Sequence, residues 1–264
     1  MNGRFQGTVA LVTGAGSPTG IGFATARLLA GEGARVAITS TTERIHERSA
    51  ELRRSGVVAS SHIGDLTQAG TADRIVAEVL AEHGRIDILV NAAGMTAVGE
   101  PETDVALLET SDAEWDRVIG LNLRTAFSMT RAALPALLRQ APGSRIVFVS
   151  SVTGPLVSNP RSSGYAAAKA GLTGLARSLA VEHGRAGLTV NCVLPGWIAS
   201  GSQLPEEAMA GAHTPVGRSG TVAEVAEAIA FLSSHGASYV TGQTLVVDGG
   251  NVVQEFKGPP EGWY

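Results

Sequence analysis

Short apolar runs alternate with amphipathic stretches along nearly the whole chain. TVALVTG (8–14) is an apolar run closed by glycine, the pattern of a strand buried on both faces. GFATARLLAGEG (22–33) has helical composition and is stopped at Gly31 and Gly33. The same reading predicts strands in ARVAITS (34–40), VVASSHIGD (57–65), IDILVNAAG (86–94), SRIVFVSS (144–151), LTVNCVLPG (188–196) and QTLVVDGG (243–250). Between them it predicts helices over 42–56, 71–84, 112–140, 164–184 and 221–234, the third being one long helical segment. Alternating strands and helices mean parallel strands joined by helical crossovers. The expected fold is therefore an α/β, doubly wound, seven-stranded parallel sheet with helices on both faces. No linker or shift in composition divides the chain, so residues 1–264 are expected to form one domain. Residues 199–221 hold several Gly and Pro but no clear strand, which makes them the expected mobile lid.

Composition narrows the class. The chain is 44% hydrophobic and 17% charged, enough to bury a substantial core. A net charge of -4 gives no basic footprint and argues against nucleic acid as a partner. The single cysteine, Cys192, excludes an internal disulfide framework and reads as a small buried apolar residue in a reducing cytoplasm. No stretch has the apolar length of a membrane helix, and MNGRFQG lacks the core of a signal peptide. The six histidines show no metal-ligand spacing, so no metal is expected.

Candidate chemistry begins at TGAGSPTGIG (13–22), a glycine-rich loop between the first strand and the first helix. Free N–H groups at a helix amino end favour anions, and glycines let backbone approach a pyrophosphate. The spacing is not G-x-G-x-x-G, and no Lys-Ser/Thr follows, so an ordinary tight turn stands beside dinucleotide binding. Asp65 and Leu66 end the third strand, where an adenine has room to rest. Asn91, Ala92 and Gly94 end the fourth with small residues that allow close approach to a ribose. Further on, Tyr165 and Lys169 stand four apart on a helix and share a face. An ammonium favours a neighbouring phenolate, which suits Tyr165 to proton transfer. Ser151, at the end of the fifth strand, is placed to bond the same substrate oxygen. A Tyr and a Lys at this spacing also occur on ordinary helices.

Read together, these motifs resemble the short-chain dehydrogenase/reductases in their single-domain form. They are Thr13–Gly14 with Gly20–Ile21–Gly22, GDL at 64–66, DILVNAAG at 87–94 and WDRVIGLNL around Asn122. SSVTG at 150–154, YAAAK at 165–169, VNCVLPGWI at 190–198 and YVTGQTLVVDGG at 239–250 complete the set. The resemblance implies a Rossmann-like fold, a nicotinamide dinucleotide and a catalytic tetrad of Asn122, Ser151, Tyr165 and Lys169. In it Tyr165 is the acid in reduction and the base in oxidation. Lys169 lowers the tyrosine's pKa and binds the nicotinamide ribose. Ser151 orients the substrate oxygen, and Asn122 holds a water that relays protons. Pro195, Gly196 and Ile198 seat the nicotinamide. The glycine loop departs from the family: five residues, AGSPT, stand where three are usual, and Pro18 has no N–H to give. The family is commonly tetrameric through the helices beginning near Asp112 and Tyr165, so a homotetramer is expected.

The second strand ends at Ser40 rather than at a carboxylate that would bind the adenosine ribose hydroxyls and repel a 2′-phosphate. Ser40, Thr41 and Thr42 can donate to a phosphate and Arg44 adds charge, which favours NADP(H) over NAD(H). The basic residue that many NADP-using relatives carry before GIG is replaced by Thr19. Leu156, Val157, Trp197 and Leu204 suggest a largely apolar pocket for a neutral small-molecule carbonyl or alcohol. A 3-oxoacyl thioester on a carrier protein and a non-catalytic NADP(H)-binding regulator are the alternatives. The tail at 251–264 runs past the usual family end, and Trp263 and Tyr264 are candidates for packing on a neighbouring subunit.

Overall fold

A computed structural model of the chain describes residues 3–94 and 105–255. Seven strands build its main sheet: β1 (Val9–Val12), β2 (Arg35–Ser40), β3 (Ala59–Ile63), β4 (Ile88–Asn91), β5 (Arg145–Val149), β6 (Thr189–Pro195) and β9 (Thr244–Val247). All pairs are parallel, in the order β3-β2-β1-β4-β5-β6-β9. Strand order reverses between β1 and β4, and in such sheets ligands lie at the carboxyl ends beside that reversal.

Alternate strand residues feed two cores, because side chains point to opposite faces with a period of two. Leu11, Ala37, Leu89, Ile146, Phe148 and Cys192 pack on α3 (Thr71–His83), α5 (Thr125–Arg139) and α6 (Ser163–His183). Val12, Val36, Ile38, Val90, Val147 and Val193 pack on α1 (Ile21–Gly31), α2 (Arg44–Arg54) and α8 (Val222–Ser233). The helices thus cover both faces, which is why the central strands β1, β4 and β5 read as apolar runs, while β3 at the edge carries Ser60, Ser61 and His62. Cys192 is fully buried, and burial pushes its thiol up to about 12.

The long helical segment is present, with one irregularity: α4 (Asp112–Ile119) runs through a π-helical turn at Gly120–Arg124 directly into α5. Such a turn inserts one extra residue per turn and re-aims side chains, and it frequently marks a functional site. One expectation needs correction: the segment after β6 does hold strands. β7 (Ile198–Ala199) and β8 (Gly220–Thr221) pair in parallel, and α7 (Pro205–Ala212) fills the span between them. Two-residue strands leave no periodicity to read. α7 is signalled only by Pro205 at its start and by Glu206 and Glu207 in its first turn. Among the described residues no helix is long and apolar enough to cross a membrane. Trp263 and Tyr264 lie outside the described residues.

Candidate active site

The glycine loop is clamped between neighbouring strand ends. The Thr13 hydroxyl accepts the N–H groups of Ala92 and Ala93, both at 3.1 Å, and ties the loop to the end of β4 across the reversal. Gly14 has φ +69, and a Cβ there would lie 2.5 Å from the Ala92 carbonyl oxygen. Only glycine combines that left-handed backbone with so close a neighbour. A Cβ on Gly22 would lie 2.6 Å from the Gly14 oxygen, and one on Gly16 would lie 2.8 Å from Ser40 Cβ. Gly20 starts α1 with extended backbone. No side chain caps the helix and no acid stands in its first turn. The amino end of α1 thus carries no capping side chain and no acid, and the glycines let the loop pack closely against the ends of β2 and β4. This geometry fits the pyrophosphate of a dinucleotide.

The ends of β2 and β3 form the next wall. Ser40 Oγ donates to the Thr42 carbonyl at 3.0 Å, and Arg44 Nε donates to Thr42 Oγ1 at 3.2 Å. Ser40, Thr42 and Arg44 thus make one polar corner facing the loop through Gly16, with Thr41 exposed on it. The Gly64 N–H donates to the Ser40 carbonyl at 2.9 Å and carries the wall on to β3. The Asp65 carboxylate accepts from the Thr67 hydroxyl at 2.6 Å and the Thr67 N–H at 2.9 Å. Burial would raise its pKa, but these bonds and one from Gln68 outweigh it and hold the carboxyl below its ordinary value. The Leu66 side chain is buried in the core on the α3 face. Asn91 is likewise buried, with its Nδ2 donating to Thr130 Oγ1 at 3.0 Å. The Leu66 side chain is therefore part of the core, while Asn91 Oδ1 is buried without a hydrogen-bond partner among the described residues.

At the ends of β4 and β5 the candidate proton-transfer residues meet. Asn122 lies in the π-helical turn, 1% exposed, and its Nδ2 donates to the Val118 carbonyl at 3.1 Å. Lys169 is 3% exposed; its Nζ donates to the Val149 carbonyl at 3.2 Å and sits 5.4 Å from the Tyr165 ring centroid. Burial pushes the Lys169 ammonium down to about 8. Gly94 joins the two: a Cβ there would lie 3.0 Å from Asn122 Oδ1 and 3.2 Å from Lys169 Nζ. Ser150 Oγ donates to the Lys169 carbonyl at 2.8 Å, fixing α6 against the end of β5. Ser151 follows at that end, half-buried, its Oγ accepting the Thr153 N–H at 3.1 Å.

Beyond β6, Gly196 donates to the Val247 carbonyl at 3.0 Å, and a Cβ there would lie 2.6 Å from Asp248 Cβ. Pro195 closes β6, and Ile198 pairs with Gly220 in the small sheet. The chain then crosses to Gly201, where an added methyl would collide with the Thr19 hydroxyl of the glycine loop. The longer loop therefore touches the segment after β7. Sequence reasoning quoted Thr13, Gly16 and Ser150 only as parts of motifs, without these contacts, and did not single out Gly201; their partners are distant in sequence. The π-helical turn had one signal, Gly120 inside a long helical pattern.

A family model described as "Enoyl-(Acyl carrier protein) reductase" matches residues 14–251. A 3-oxoacyl-[acyl-carrier-protein] reductase of Escherichia coli is 39% identical over 251 residues, covering 94% of this chain and 98% of its own. One of Thermotoga maritima is 39% identical over 255 residues, with 95% and 100% covered. A dehydrogenase/reductase structure from Sinorhizobium meliloti matches with TM-score 0.86 at 33% identity, over 93% of this chain and 95% of that one. A mutant short-chain dehydrogenase/reductase of Serratia marcescens matches with TM-score 0.85 at 29% identity, over 94% and 99%. With this similarity running from the glycine loop through Tyr165 and Lys169 to the last strand, the chain belongs to the short-chain dehydrogenase/reductase family of oxidoreductases.

Proposed function

We propose that the protein is an NADP(H)-dependent reductase of small neutral carbonyl compounds, running in reverse as a secondary-alcohol dehydrogenase. The observation that carries this reading is the meeting of Asn122, Lys169 and Gly94 beside the Tyr165 ring. A nicotinamide dinucleotide, when bound, gives the hydride to the carbonyl carbon or takes it back. Ser151 donates a hydrogen bond to the substrate oxygen and fixes it near Tyr165. Tyr165 transfers its phenolic proton to that oxygen as negative charge develops there. The Lys169 ammonium, 5.4 Å from the ring centroid, favours the phenolate left behind. The Asn122 carboxamide, packed beside Lys169 across Gly94, is placed to hold the water that returns the proton. Ser40, Thr41, Thr42 and Arg44 take the 2′-phosphate, since β2 ends without a carboxylate.

Leu156 and Leu204 are 51% and 42% exposed beyond the site and suit an apolar substrate body. A second reading is reduction of 3-oxoacyl thioesters, favoured by the 39% identity to 3-oxoacyl-[acyl-carrier-protein] reductases. We also place the protein as a homotetramer in the cytoplasm. The exposed Trp115 on α4 and Phe127 on α5 supply apolar surface for association, which light scattering measures directly.

The test is the loss of reduced-nicotinamide absorbance with a panel of ketones, aldehydes, a 3-oxoacyl thioester and a 2-enoyl thioester. Turnover of ketones with NADPH well above NADH supports the reading. Preference for the 3-oxoacyl thioester supports the second. Turnover of the enoyl thioester alone overturns both.

A further inference from the structure

A buried chain of hydrogen bonds runs under the edge of the sheet, away from the proton-transfer residues. Ser60 Oγ lies 2.9 Å from His62 Nε2 and 2.8 Å from His83 Nε2. His62 Nδ1 lies 2.9 Å from Glu78 Oε2. Ser60, His62 and His83 are 2%, 6% and 5% exposed. A serine, a histidine and a carboxylate at these distances have the geometry of a hydrolytic triad. Ser60 is closed to any substrate and held by a second histidine, so it is not a nucleophile.

Glu78 fixes the direction of the chain. A carboxylate only accepts, so His62 Nδ1 carries the hydrogen. The Nε2 of neutral His62 is then an acceptor, and Ser60 donates to it. Ser60 in turn accepts from His83 Nε2–H, which leaves His83 Nδ1 as a bare lone pair. That atom is buried with no hydrogen-bond partner. With His62 neutral, the chain has one fully bonded proton arrangement. A proton on His83 Nδ1 makes a buried donor without an acceptor. A proton on His62 Nε2 keeps the three bonds only when Ser60 donates to His83 instead, which moves the His83 hydrogen to Nδ1 and makes the same buried donor without an acceptor.

The far end of the chain reaches the dinucleotide wall. Glu78 Oε1 pairs with Arg74 at 2.6 Å, and Arg74 donates to the Ile63 carbonyl at 2.7 Å. The next residue, Gly64, is bonded to Ser40, and Asp65 follows it. We propose that the chain His83–Ser60–His62–Glu78–Arg74 is a positioning element for the adenosine end of the cofactor site, and that acid releases it and weakens dinucleotide binding. This rests on the dinucleotide reading above. The charged groups around the chain are Arg74, Glu78 and Glu82 on α3, Arg35 on β2, His46 and Arg53 on α2, and Glu43 just before it. Burial, the largest influence, with Arg35 and His62 holds His83 below its ordinary 6.5 against the opposing pull of Glu82. Its contribution to order is therefore complete above 6.5 and is lost as pH falls from there through its folded value.

The experiment is calorimetric titration with NADP+ and NAD+ at pH 8 and at pH 5.5, for the wild type, His83→Gln and Glu78→Gln. Glutamine at 83 keeps a donor for Ser60 and does not titrate. A phosphate monoester titrates near pH 6 in its own right, so the quantity read is the ratio of wild-type to variant Kd. His83→Gln is expected to match the wild type at pH 8 and to bind about three- to tenfold more tightly than it at pH 5.5. Glu78→Gln is expected to weaken binding about three- to tenfold already at pH 8. A wild-type to His83→Gln ratio that does not change with pH overturns the proposal, as does a Glu78→Gln affinity equal to wild type at pH 8. Absence of binding by the wild type to either dinucleotide overturns the dinucleotide reading itself.

Discussion

Two buried polar clusters sit under the same sheet and are built on opposite terms. Under β3, Ser60, His62 and His83 are joined by hydrogen bonds in a chain that ends on Glu78. At the ends of β4 and β5, Lys169 is as deeply buried, yet its ammonium bonds a neutral carbonyl, Val149 O, rather than a carboxylate. The first arrangement lowers the cost of burying polar groups; the second leaves a costly charge in place. A buried ammonium pushed down to about 8 stands close to working pH, where proton transfer is most efficient. The contrast teaches where to look for chemistry. A hydrogen-bonded network of this kind holds the fold in shape, and a buried charge that among the described residues bonds only a neutral carbonyl is the candidate for chemistry.

The largest effect expected is from Tyr165→Phe, which removes the proton and keeps the ring. Turnover should fall about 10²–10⁴-fold with dinucleotide affinity held within a few-fold. Activity that survives in this variant breaks the assigned mechanism. A wild type that binds NADPH but turns over none of the panel would point instead to a substrate outside it or to a regulator.

Next comes Lys169→Met. Activity should drop by orders of magnitude, while the fold becomes more stable by on the order of 1–3 kcal/mol at pH 7. The sign follows from the lysine's depressed pKa. Its folded state prefers the neutral form, so its stabilising share is present above 10.5 and lost as pH falls through about 8. The gain in melting temperature should therefore shrink as pH rises toward 10.5. No gain at pH 7 would erase the contrast drawn above.

Gly94→Ala should follow. Its φ of +149 disfavours any side chain, and the new methyl would press on Asn122 Oδ1 and Lys169 Nζ. A displacement of about 1 Å in a reacting group costs up to about 10²-fold in rate, and kcat should fall on that scale with KM little changed. The smallest effect is expected from Gly201→Val, which separates the glycine loop from the segment after β7. NADPH should bind roughly two- to tenfold more weakly, with kcat at saturation unchanged. Stopped-flow release of bound NADPH checks whether the loss lies in the off-rate.

Much of this was legible in the chain itself. Apolar runs such as VALV and IVFV, each followed by an amphipathic helix, determined a parallel sheet covered on both faces. Strands buried on both sides must be apolar throughout, and parallel strands need crossovers. The YAAAK spacing put Tyr165 and Lys169 on one helical face, because residues four apart lie one turn apart. What the sequence left open was every relation between distant residues. Thr13 with Ala92 and Ala93, Gly94 with Asn122 and Lys169, Gly201 with Thr19, and Ser60 with His83 meet only when the strands assemble. The same holds for the π-helical turn that carries Asn122 and for the small β7–β8 sheet. Periodicity reports how a residue faces its own element. Which elements become neighbours, which carbonyl receives the Lys169 ammonium and which histidine nitrogen is left bare are decided by packing in three dimensions.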